Sequence, residues 1–228
     1  MLVVLEGLDG AGKSTQTAML REYLGSISKR LRYIHFPRYD APVYGELISN
    51  FLRGKFGENN AVHPQLVALL FAEDRHGAAV DMYEALNNGE TVLLDRYVYS
   101  NIAYQCAKLP SDREAESLRK WIIDTEYGQF NLPRPDVNIF LDVPISFVSR
   151  NLSADREGED RDYLQGEHDI HESDIRFQSR VRDMYRRQAA LDDKFVVVDC
   201  SDADGNMLGA EDIFLKIKEV VDRYAFCQ

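Results

Sequence analysis

Cysteine is scarce in this chain. Cys106, Cys200 and Cys227 are the three present, and none falls in a C-x-x-C pair or at metal-ligand spacing. They read as free thiols of a reducing compartment, not as a disulfide framework. No apolar run is long enough to span a membrane. No basic leader precedes the first apolar segment, so no signal peptide is expected and the expected location is cytoplasmic. Positive charge is in deficit: 27 Lys and Arg stand against 38 Asp and Glu, a formal net charge of −11. That disfavours a long nucleic acid as partner, because phosphate-backbone binding needs a basic face. A mononucleotide stays open as a ligand, since a small anion is captured by local donors. Internal repeats and low-complexity tracts are also missing. What is present is 228 residues, 45% of them hydrophobic, enough for one sizeable core. With no break in composition, 1–228 is expected to form a single domain.

Short apolar runs at 2–5, 33–36, 91–94, 137–141 and 195–198 alternate with longer helical patterns at 14–28, 42–52, 64–87, 100–108, 113–127, 145–152, 172–191 and 211–224. Leu66, Leu69, Leu70 and Ala78 illustrate the apolar face of the third helix. This alternation predicts an α/β fold, a five-stranded parallel sheet flanked by helices in three layers. Ligands of such sheets bind at the carboxyl ends of the strands, so residues just after each strand are read first for function. The highly charged segment 153–170 carries Gly158 and Gly166 and lacks an apolar stripe. It is either a mobile lid or a plain surface loop.

After the first strand comes Gly7-Leu8-Asp9-Gly10-Ala11-Gly12-Lys13-Ser14, then Thr15. The spacing G-x-x-x-x-G-K-[ST] between a strand and a helix is the phosphate-binding P-loop. Its glycines let backbone N–H groups turn inward around a phosphate, and the helix N-terminus adds a positive dipole end. Lys13 can reach the terminal phosphates of a nucleotide, and Ser14 can offer its hydroxyl to Mg²⁺. Asp9 is an acid inside a phosphate cradle. It must turn toward a sugar hydroxyl or an arginine, or else brace the turn through its own backbone.

The second strand ends in Phe36-Pro37-Arg38, where Arg38 can project over the sheet edge with a planar fork suited to a phosphate. The third ends in Asp95-Arg96-Tyr97. There Asp95 can hold Mg²⁺ through water and Arg96 can bridge donor and acceptor phosphates, or the two form a structural ion pair. Ser100, Asn101, Tyr104 and Gln105 share a surface of the following helix and can read a base edge and press on a sugar. Phe71 and Arg75, one turn apart, can stack on and hydrogen-bond a planar heterocycle, although aromatics at helical spacing are usually core.

Together these residues resemble the thymidylate kinases, over nearly the whole chain. The most specific part is Asp95-Arg96-Tyr97-Val98-Tyr99-Ser100-Asn101-Ile102-Ala103-Tyr104-Gln105; Glu6–Gln16, Phe36-Pro37-Arg38, Phe71-Ala72-Glu73-Asp74-Arg75, Pro133-Arg134-Pro135-Asp136 and Val198-Asp199-Cys200-Ser201 also fit. The resemblance implies ATP and dTMP as substrates, Mg²⁺ as cofactor and a homodimer formed through helix packing, for which the helices at 64–87 and 100–108 could supply the face. It implies that Lys13 and Ser14 hold ATP phosphates and Mg²⁺, and that Arg38 and Arg96 hold the acceptor phosphate. Asp9 would contact the 3′-hydroxyl and help place Arg38. Phe71 would stack on thymine, with Arg75 and Asn101 on its edge, while Tyr104 crowds the 2′ position. Ser201 and Arg150 would lie near adenine.

The family comes in two styles. One places a basic residue within the P-loop, and the other supplies arginines from the lid. Gly10 stands at the relevant position here, so this chain is similar to the second style, with Arg156 and Arg161 as the phosphate-contacting candidates in a lid spanning roughly 150–171. The lid is unusually acidic around them. His171 reads as a helix-start or packing residue. The competing readings are another P-loop kinase, acting on a nucleoside, dCMP, dUMP or GMP, and a nucleotide-switch module. The switch class calls for an Asn-Lys-x-Asp stretch, which this chain does not have.

Overall fold

The computed structural model describes residues 1–153, 159–165, 169–172 and 174–226. Its strands are β1 (Leu2–Gly7), β2 (Leu31–His35), β3 (Thr91–Asp95), β4 (Val137–Asp142) and β5 (Phe195–Asp199). They form one parallel sheet in the order β2-β3-β1-β4-β5. The central strands β1, β3 and β4 are buried along their whole length, as continuous apolar runs require, while the edge strands β2 and β5 are partly exposed. The helices are α1 (Lys13–Ile27), α2 (Tyr44–Leu52), α3 (Pro64–Gly77), α4 (Ala79–Asn87), α5 (Val98–Cys106), α6 (Asp112–Ile123), α7 (Ile145–Ser153), α8 (Ile175–Ala189) and α9 (Ala210–Phe226). The chain leaves β1 toward β2 but leaves β3 toward β4, in opposite directions across the sheet. Right-handed crossovers therefore place their helices on opposite faces, giving the three layers. No helix among the described residues is long and apolar enough to cross a membrane.

Three helical expectations change. The pattern at 64–87 is two helices, because Ala78 takes φ −99° and ψ −3° and closes α3 onto the Arg75 carbonyl. The break falls at Gly77, a residue of low helix propensity, and a Cβ there would stand 2.9 Å from Arg38 Nη2. The predicted apolar face holds in part: Ala78 is buried and Leu70 packs against buried residues of α2 and α3. Leu66 is 62% and Leu69 36% exposed, while Val67, Ala68, Ala72, Asp74 and Arg75 face inward. The helix expected at 113–127 keeps α-geometry only to Ile123 and continues as a π-helical turn, Asp124–Gln129, closed by Phe130 N–H donating to Thr125 O at 2.8 Å.

β1 lies between β3 and β4, so the loop after it opens beside the carboxyl end of β3. In register, Leu5 stands beside Asp95, and Asp95 beside His35. A second apolar cluster of Ile48, Phe51, Leu52 and Val67 joins α2 to α3, with Tyr39, Phe71, Tyr163 and Ile170 packed on it. It forms the far wall of the site.

Candidate active site

The loop after β1 turns on Gly10 (φ 73°) and Gly12 (φ 75°), a left-handed backbone that side chains rarely adopt. Gly7 and Leu8 are buried, and Ser14 and Thr15 stand exposed at the start of α1. Lys13 Nζ lies 3.0 Å from Asp95 Oδ1, and His35 Nδ1 lies 3.4 Å from Asp95 Oδ2. Burial opposes ionisation of Asp95, but Lys13 and His35 outweigh it and hold the carboxyl well below the usual range. A cleft lined by Ala11, Gly12 and Thr15 on one side and by Phe147, Met207 and Leu208 on the other adjoins the loop. Arg150 lies over the Phe147 ring, 6.0 Å from its centroid. Ser201 turns its hydroxyl to Asp199 Oδ1 at 2.5 Å, and its neighbour Cys200 lines the cleft instead.

Arg96 joins the loop to the cavity beside it. Its backbone is left-handed at φ 65°, and Glu6, at the end of β1, fixes the turn by accepting from Tyr97 N–H at 3.0 Å and Ser100 N–H at 3.2 Å. The Arg96 guanidinium donates to Gly7 O at 2.8 Å, to Ser100 Oγ at 3.3 Å and to Asp9 Oδ1 at 2.5 Å. Asp9 Oδ2 also accepts from Tyr104 OH at 2.8 Å and Gln178 Nε2 at 3.1 Å. Burial of Asp9 is outweighed chiefly by Arg96, and its pKa is lowered. The acid inside the loop thus faces an arginine.

The neighbouring cavity brings together Asp9, Phe36, Pro37, Phe71, Arg75, Arg96, Ser100, Asn101, Tyr104 and Gln105, ten residues singled out from the sequence. All nine residues of α5 are buried, so its polar side chains are not an outer face. Phe71 is half-buried and meets Phe51 edge-on, with centroids 6.4 Å apart. Ser100 Oγ donates to Glu6 Oε2 at 2.6 Å and lies within hydrogen-bond distance of Tyr185 OH at 2.7 Å. One expectation is corrected: Asp9 does not place Arg38. Asp74 does, accepting from Arg38 N–H at 2.9 Å and Nε at 3.0 Å, while the Asp74 carbonyl accepts from Nη2 at 2.6 Å. The Phe36–Pro37 peptide bond is cis.

Several site residues escaped the sequence reading. Tyr163, in the short 3-10 helix Glu159–Leu164, stacks on Tyr39 with centroids 4.0 Å apart and donates to Asp169 Oδ2 at 2.5 Å. Tyr39, Tyr163, Asp169 and His171 line the cavity, so the end of the charged segment after α7 is part of its wall. His171 is a packing residue, as expected, but its ring packs at 5.1 Å from Tyr104 inside the site. Arg156 lies outside the described residues. Arg161 lies on the short 3-10 helix, with its side chain outside them.

Burial, reinforced by the charge of Asp9, pushes the Asp169 carboxyl up to about 7. Lys108 lies close by, itself brought down to about 7 by burial, and His171 is held neutral by burial and by Lys108. An acid whose pKa rises on folding contributes stability that is full below its unfolded value near 4 and lost as pH rises through the folded value. Thermal melts between pH 4 and pH 8 should therefore show the Tm advantage of the wild type over Asp169→Asn shrinking as pH rises. A constant difference would contradict this.

A family model described as thymidylate kinase matches residues 5–207. A thymidylate kinase of Mycobacterium tuberculosis is 32% identical over 191 residues, 83% of this chain and 86% of that protein. One from Arabidopsis thaliana is 32% identical over 220 residues, 96% of this chain and 70% of that protein. Among solved structures, the thymidylate kinase of Candida albicans superposes with a TM-score of 0.70 at 25% identity, covering 98% of this chain and 92% of that one.

Proposed function

This chain belongs to the thymidylate kinase family, and from that premise we propose that it transfers the γ-phosphoryl group of ATP to the 5′-phosphate of dTMP, yielding dTDP and ADP. The observation that carries the reading is the Arg96–Asp9 ion pair, which ties the phosphate-binding loop to the wall of the acceptor cavity. An acceptor-phosphate oxygen attacks the γ-phosphorus in line, and the bond from that phosphorus to the β,γ-bridging oxygen breaks. The nucleophile is already anionic at neutral pH, so no strong general base is needed. What the protein supplies is positioning and positive charge: Lys13 at the donor phosphates, Arg96 between donor and acceptor, and Arg38 on the acceptor phosphate. By resemblance, Arg156 and Arg161 of the lid complete the cage. The cleft beside Gly12 and Thr15 takes the donor base, with Arg150 and the segment around Ser201 at its edge.

The donor set fits Mg²⁺. Ser14 offers an exposed hydroxyl and Asp95 a carboxylate kept ionised beside Lys13, hard oxygen ligands for a cation that retains waters and binds phosphate oxygens. When bound, Mg²⁺ neutralises charge on the triphosphate.

In the acceptor cavity Phe71 provides a face for the base. Asn101 spends its Nδ2 on Ala68 O and Glu126 Oε1, both at 2.9 Å, leaving Oδ1 buried without a partner among the described residues. That acceptor suits the N3–H of thymine, and the Arg75 guanidinium beside it suits O4. Tyr104, held on Asp9, closes the space at the sugar's 2′ position. Replacing Tyr104 with Ala should therefore relax the preference for dTMP over its ribonucleotide counterpart by about tenfold in kcat/KM. An unchanged ratio would contradict the assignment.

The homodimer and the cytoplasmic location belong to this reading too, as does a single catalytic domain over 1–228. The dimer face is best placed on α3 and α4, where Leu66, Leu69 and Val80 are exposed; α5, entirely buried, has no surface to give. ADP release coupled to acceptor addition tests the whole reading. Turnover should depend on dTMP, and a folded preparation without dTMP-dependent turnover would refute it.

A further inference from the structure

We infer that Glu126 is the positioning residue that sets which pyrimidine the acceptor cavity takes. The inference deepens the reading of that cavity as the dTMP site and rests on it. Glu126 is 0% exposed and lies in the π-helical turn Asp124–Gln129. It occupies the inward stripe of the preceding helix, after Ala115, Leu118 and Ile122. A carboxylate there is costly unless every lone pair is used.

Both oxygens are used, and both on cavity residues. Arg75 Nε donates to Oε2 at 2.5 Å and Arg75 Nη2 to Oε1 at 2.8 Å, a bidentate fork that fixes the guanidinium plane. Burial of Arg75 is outweighed by Glu126, so the guanidinium stays charged at 2% exposure. Oε1 also accepts from Asn101 Nδ2 at 2.9 Å.

That last bond settles which way the Asn101 amide faces. With the Ala68 carbonyl on one amide hydrogen and Glu126 on the other, Nδ2 is fully engaged and Oδ1 points elsewhere as a bare acceptor. Glu126 thereby presents the cavity with one acceptor, Asn101 Oδ1, next to one charged donor, Arg75. Thymine and uracil carry the complement, an N3–H donor beside an O4 acceptor. Cytosine carries the opposite pair, an N3 acceptor beside an N4 amine. A glutamine at 126 can donate as well as accept, which frees Asn101 to turn and weakens the hold on Arg75.

The test is the ratio of kcat/KM for dTMP to that for dCMP in wild type, Glu126→Gln and Glu126→Asp, with thermal melts and the KM for ATP alongside. The wild type should favour dTMP. In E126Q the ratio should fall about tenfold or more, with the KM for ATP unchanged and E126D lying between the two. If E126Q does not fold, E126D carries the test, and its ratio must fall in the same direction. Equal losses with both acceptors, or an unchanged ratio in a folded variant, overturn the inference alone. A wild type without preference for dTMP overturns the functional reading and this inference with it.

Discussion

Arg96→Met should lower kcat by about 10³-fold while the fold persists, because the residue combines a charge and a position that methionine cannot supply. The Arg96 side chain touches Gly7 O at the start of the phosphate loop and Asp9 within it, and it lines the acceptor cavity. On the proposed reading, charge spreads over the transferring phosphoryl group and a guanidinium fixed at that junction stabilises it without moving. Asp9 keeps the arginine aimed, and Asp9 is in turn held by Tyr104 and Gln178. Methionine keeps the stem and loses the charge, so steady-state kcat and calorimetric binding of dTMP separate the two contributions. A kcat within tenfold of wild type would place the catalytic charge elsewhere.

Glu6→Ala should cost about 3–5 kcal/mol of unfolding free energy, because it removes the acceptor from a set of buried donors. Glu6 is 0% exposed and accepts from Tyr97 N–H, Ser100 N–H, Ser100 Oγ and Tyr185 OH. Burial drives its pKa up against the pull of these donors and of Arg96. These bonds hold the turn that gives Arg96 its left-handed backbone, so the same change should also lower activity below the melting point. The expected fall in Tm is about 10 °C. A loss below about 1 kcal/mol by urea unfolding would contradict this account of the turn.

The sheet was legible because its strands are short, apolar and separated by amphipathic helices, and β1, β3 and β4 are buried throughout. The phosphate loop was legible because glycine spacing records a backbone requirement directly. The cavity beside the loop was legible only as a set of residues, since contacts such as Tyr104 with Asp9 join distant segments. Two signals were readable and pass unnoticed in a search by motif. Glu6 ends an apolar strand with an acid, and Glu126 puts an acid on the apolar stripe of a helix. Each is a buried carboxylate that has to be satisfied, and each turns out to hold a site residue. The break at Ala78 had a signal too, Gly77 at the end of α3, but one glycine inside a long helical pattern is weak by itself. Leu66 and Leu69 are exposed although they sit at helical spacing, because apolar spacing alone does not say which face of a helix meets the core.

The most direct measurement follows the label from [γ-³²P]ATP incubated with dTMP and the protein. The account predicts dTDP carrying the label on its β-phosphate, formed one for one with ADP. Label appearing only as inorganic phosphate, or no transfer to dTMP while another monophosphate is labelled, would contradict it.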